Sequence, residues 1–65
     1  MKLNLDRLAK TRKRRKKTQD EMAVALGFRS RSAYSKRENG IVSLGADELA
    51  IIAELLDYDI TYFFD

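Results

Sequence analysis

Apolar positions recur at helical spacing along nearly the whole chain. Leu5, Leu8, Ala9 and Arg12 fall at i, i+3, i+4 and i+7, one stripe of a first helix that Asn4 can cap. Met22, Ala23 and Leu26 make the inner face of a second helix, and Ala33, Tyr34 and Arg37 share a face of a third. Leu49, Ile52, Ala53 and Leu56 form the stripe of a fourth helix, from about Ala46 to Leu56. Ile51 and Leu55 widen that apolar surface beyond one face, so this helix is either central or partly covered by something else. Asp57-Tyr-Asp59 reads as a break, after which Asp59 can cap a last helical stretch, Ile60 to Phe64. Ile41-Val-Ser-Leu44 is β-branched, but so short a run with no partner cannot make a sheet. It is expected to lie extended across the core. The pattern predicts an all-α fold, a compact five-helix bundle forming one domain over residues 1–65.

The boundaries have local chemistry. Thr18-Gln-Asp-Glu21 fits a capping box, and Asp20 and Glu21 put negative charge where the helix dipole favours it. Gly27 stands where a left-handed C-terminal residue is wanted. Ser30 can cap the third helix, and Asn39-Gly40 stops it. Residues 18–40 thus read as two short helices joined by a tight turn. The exposed face of the second of these offers Arg31, Ser32, Ser35 and Lys36. Such a basic, small-residue face suits a DNA major groove.

Several side chains have two readings. Arg12 on a core-facing stripe either pairs with Glu38, the only acid late in the third helix, or snorkels to water. Gln19 is either an ordinary exposed helix former or a phosphate ligand at a helix start. Phe28 is expected in the core, and Tyr34 too, with its hydroxyl at the rim. The ending YDITYFFD holds four of the six aromatics. Ile60 and Phe63 are expected to close the core. Tyr58, Tyr62 and Phe64 cannot all be inside so small a domain, which points to a partner surface, tentatively a dimer interface.

Charge sharpens the picture. Residues 1–40 hold all 13 Lys and Arg against four acids, a net +9, whereas residues 41–65 hold six acids and no base. Lys10 to Lys17, KTRKRRKK, has seven positive charges in eight residues. The run is either a solvated helix end or a phosphate-facing surface. If the latter, Arg14, Lys16 and Lys17 are its phosphate ligands. This asymmetry points to nucleic acid or another anionic partner. With no Cys and no His, a thiolate or imidazole metal site is ruled out, and no metal or other cofactor is expected. No apolar run has the length of a bilayer span or the form of a signal peptide, so a cytoplasmic location is expected. No Gly-rich phosphate loop or paired carboxylate points to an enzyme or a small-molecule substrate.

With these residues in view, the chain resembles the XRE family of helix-turn-helix proteins, the phage repressor and Cro type. The resemblance runs from about Leu5 to Phe64. It rests on Leu8 and Arg12; Thr18-Gln19, Glu21-Met-Ala23 and Leu26-Gly27; Ser35-Lys36 and Glu38-Asn39-Gly40; and Ile52-Ala-Glu54, Leu56 and Ile60-Thr-Tyr-Phe-Phe64. It implies a lambda-repressor-like fold whose third helix reads the major groove. It also implies that Gln19 and Asn39 contact phosphates, that Arg31, Ser32, Ser35 and Lys36 face base edges, and that Arg12 pairs with Glu38. The chain departs from the family in three places. The turn before the third helix has one extra residue, which makes Lys36 the firmer base reader and leaves Arg29 for a phosphate. Arg37 replaces an apolar residue and is expected to snorkel. Lys16 and Lys17 replace a Gly and an apolar residue, and a Lys in a left-handed conformation costs roughly 1 kcal/mol against Gly.

The function expected is sequence-specific binding of double-stranded DNA by a bacterial or phage-encoded transcriptional repressor. It would act as a homodimer, at least on DNA, on an inverted-repeat operator, with no role for a membrane. The alternative is a protein-interaction module, antitoxin-like, using the acidic aromatic C-terminal face. Non-specific association with RNA or an anionic membrane is a third reading.

Overall fold

The computed structural model describes residues 1–65, with principal extents of 29 × 23 × 19 Å. The fold is all-α. Helices α1 (Leu5–Arg14), α2 (Gln19–Ala25), α3 (Arg31–Glu38) and α4 (Ala46–Leu56) are followed by a 3-10 turn, Ile60–Phe63. Helix α2 packs on both α3 and α4, and α1 packs on α3 and the 3-10 turn.

Local chemistry sets each start. Asn4 Oδ1 accepts from Arg7 N at 2.8 Å, and Ser30 Oγ from Ala33 N at 3.4 Å. Thr18 and Glu21 cap each other reciprocally at 3.1 and 2.8 Å. Helix α2 ends through Gly27, at φ +77°, with Phe28 N donating to Ala23 O at 2.9 Å.

Four α-helices stand where five were expected. Asp57 takes φ +61° and ends α4. The last stretch is closed by i→i+3 bonds, from Tyr62 N to Asp59 O and from Phe64 N to Thr61 O. The chain then straightens and pairs with its other end: Leu3 and Phe64 form an antiparallel bridge, and Asn4 N donates to Phe63 O at 2.7 Å. That pairing begins where the 3-10 turn ends.

The buried apolar core is Leu8, Met22, Ala23, Tyr34, Leu49, Ile52, Ala53, Leu56 and Phe63, with Phe28 partly buried against it. Three expectations of depth are corrected. Ile60 is 37% exposed rather than part of the core. Of the 41–44 connector, Ile41 and Val42 are exposed and Leu44 alone packs on the core. The cause is local, since Ile41 N and Val42 N both donate to Lys36 O and curl the chain over the end of α3. Tyr34 is buried to its tip, because its hydroxyl has a partner inside.

Candidate DNA-binding interface

The site is built around Glu38. Arg12 grips its carboxylate with two N–H donors, Nε at 2.9 Å and Nη2 at 3.1 Å. Tyr34, one turn earlier on α3, donates its hydroxyl at 2.6 Å, and Gln19 donates Nε2 at 3.2 Å. Both charged side chains are under 10% exposed. Burial pushes the Glu38 carboxyl up, but the hydrogen bonds from Arg12, Tyr34 and Gln19 outweigh it and hold it below the usual range. Burial and the neighbouring carboxylate push the Tyr34 hydroxyl far above its usual range. This knot ties α1, α2 and α3 together.

The knot also sets the direction of Gln19. An anionic carboxylate accepts only donors, so the amide NH2 must face Glu38 and the carbonyl oxygen faces out. That oxygen accepts from Arg31 Nη1 at 3.3 Å. Arg31, the first residue of α3, is thereby held against the start of α2.

Helical periodicity divides the basic run. Arg12 points inward, and its Nη1 also donates to Lys17 O at 2.8 Å. Arg15 crosses to the far side, where Nε caps α4 by donating to Leu56 O at 2.8 Å and its guanidinium lies 4.7 Å from the Tyr58 ring. Arg14 faces the C-terminal tyrosines. Its Nη1 reaches the hydroxyls of Tyr58 and Tyr62, at 3.4 and 3.5 Å, away from α3. Lys13, Lys16 and Lys17 remain outside every ion pair. With Gln19, Asp20 and Arg31 they line a groove of about 540 Å³ between the end of α1 and the starts of α2 and α3. Lys16 holds its place there at φ +60°.

Beside that groove, α3 turns outward the arc carrying Arg31, Ser32, Ser35 and Lys36. Arg31, Ser32 and Lys36 are exposed, and Ser35 is half-buried. Asn39 Nδ2 donates to Ser35 Oγ at 3.3 Å. Arg29 is exposed in the turn. Arg37 does not snorkel. It pairs with Glu48 at 3.1 Å, donates to Ala33 O at 2.7 Å and stacks 4.2 Å from the Phe28 ring, so it pins α3 to the start of α4. At the opposite end, Tyr58 and Tyr62 stack at 4.4 Å and Phe64 is half-buried beside Leu3. All three are half-buried.

The sequence pattern does not single out Lys13, which lines the groove.

A helix-turn-helix unit with a cationic groove beside an outward α3 face defines a class of DNA-binding protein. The chain matches the helix-turn-helix family model HTH_3 over residues 8–63 and belongs to that family, the XRE type of DNA-binding regulators. Comparison with curated proteins and with solved structures gives no match.

Proposed function

We propose that residues 1–65 act as one domain that binds operator DNA sequence-specifically and regulates transcription, as a cytoplasmic repressor of the phage Cro type. Helix α3 lies in the major groove. Lys36 and Arg31 donate to guanine O6 and N7, and Ser32 and Ser35 add close contacts or weaker hydrogen bonds. Lys13, Lys16 and Lys17 meet the adjacent phosphates, with Arg29 and Asn39 on the other flank. The mechanism is binding without chemistry, driven by release of counterions from the phosphates.

The observation that carries this reading is the shared edge between groove and helix. Arg31 belongs to both the lysine-lined groove and the outward face of α3, and Gln19 fixes it there. One rigid surface therefore offers phosphate ligands and base readers side by side.

The test is selection from a random duplex pool at near-physiological salt. An enriched inverted repeat with half-sites about one helical turn apart supports a dimeric specific regulator. Absence of any enriched sequence overturns base reading. Lys36→Ala is expected to relax preference at one position of the selected site, by about 1–3 kcal/mol. An unchanged preference would remove Lys36 from the base readers.

A further inference from the structure

Helices α2 and α4 each carry more apolar surface than the core absorbs. Helix α4 already buries Leu49, Ile52, Ala53 and Leu56, yet Ile51 is 43% exposed and Leu55, one turn on, is half-buried. Helix α2 buries Met22 and Ala23, yet Val24 is 77% exposed and Ala25 is exposed beside it. The two surpluses meet. Two adjoining depressions of about 380 and 450 Å³ share Ala25 and Leu55, and Val24 and Ile51 stand at their two ends. Single exposed aliphatics are ordinary, but a continuous strip across two helices marks a contact surface.

Charge at the rim selects the occupant. Asp20 and Glu21 border the α2 end of the strip and Glu54 the α4 end, against one cation, Lys17. A duplex or an anionic membrane is repelled. A second copy related by a two-fold axis would bring the same patch against itself, three acids on each side with only Lys17 to offset them. We propose that this strip receives an amphipathic helix of another protein, one that lays aliphatic residues into the α2–α4 groove and flanks them with Lys or Arg. The docked helix lies next to the DNA-facing groove, since Lys17 and Asp20 line both.

The probe is a displayed library of random peptides long enough for several helical turns, selected on the whole chain. The expected enriched sequences carry aliphatic residues at i, i+3 or i+4 with basic flanks. Val24→Asp and Ile51→Asp are each expected to weaken a selected peptide roughly tenfold or more. Neither side chain is in the buried core, so both variants should remain folded, which a cooperative melting transition checks. Glu54→Lys should shift the enriched flanks away from Lys and Arg. Failure to enrich, enrichment without basic flanks, or binding that survives both aspartate variants overturns the proposal. So does self-association in sedimentation that Val24→Asp abolishes, because the occupant is then a second copy.

Discussion

Lys16 sits in a left-handed conformation that a side chain makes unfavourable. Glycine would relieve it, so Lys16→Gly is expected to raise stability by roughly 1 kcal/mol. The same change removes an ammonium from the groove, so duplex affinity should fall. A variant that gains stability and keeps its affinity would show that Lys16 meets no phosphate. Glu38 makes the second prediction at this scale. Its folded carboxyl titrates below the unfolded one, so folding favours the charged form. That contribution is complete above the unfolded value of about 4.3 and is lost as pH falls through the depressed folded value. Melting temperature should therefore drop on acidification below about pH 4.3. A carboxyl-detected titration should place Glu38 below its free value. Tyr34→Phe removes the 2.6 Å hydrogen bond. It should cost about 1.5–3 kcal/mol and move the Glu38 titration upward. A Glu38 that titrates normally would sink this account.

At the scale of elements, the starts and stops of the helices were legible because single residues set them: Asn4, Thr18, Ser30 and Asp59 cap through side chains whose reach is fixed. Depth was less legible. Periodicity tells which face a residue occupies, but not whether a tip finds a partner inside. Tyr34 and Arg37 were misjudged for that reason, since Glu38 and Glu48 hold them. The last stretch was misjudged because it closes as a 3-10 turn and then pairs with Leu3, a long-range contact that local periodicity does not carry. The basic run shows the same limit: composition gave its charge, and only the packing of α1 divided it between two faces. That division predicts a contrast. Lys13→Ala should lower the slope of log affinity against log salt by about 0.9, one phosphate's worth, for every duplex. Arg14→Ala should leave that slope unchanged, because its guanidinium faces Tyr58 and Tyr62. Slopes in the reverse order would return Arg14 to the interface and remove Lys13.

On the scale of the molecule, Lys13, Lys16, Lys17 and Arg31 line one groove with a single acid, Asp20. Lys13, Lys16 and Lys17 repel one another in the free chain, and none of them forms an ion pair. A small domain has little stability to spare. An anion that bridges these lysines should therefore both bind and stabilise. At a duplex concentration about 100 times its dissociation constant, mass action adds roughly 2.7 kcal/mol to the folded state. For a chain this short, each kcal/mol moves the melting temperature by about 4–8 °C. Duplex at low salt should thus raise the midpoint by roughly 10–20 °C. The shift has two parts that salt separates. Phosphate contacts give any duplex a share, and rising salt removes it. On the proposed reading, base contacts from Arg31 and Lys36 would belong to the selected site and persist. At near-physiological salt, the selected duplex should still raise the midpoint when a shuffled duplex of the same length no longer does. If the two shifts fade together, the α3 face reads no sequence and the groove is a site for phosphates alone.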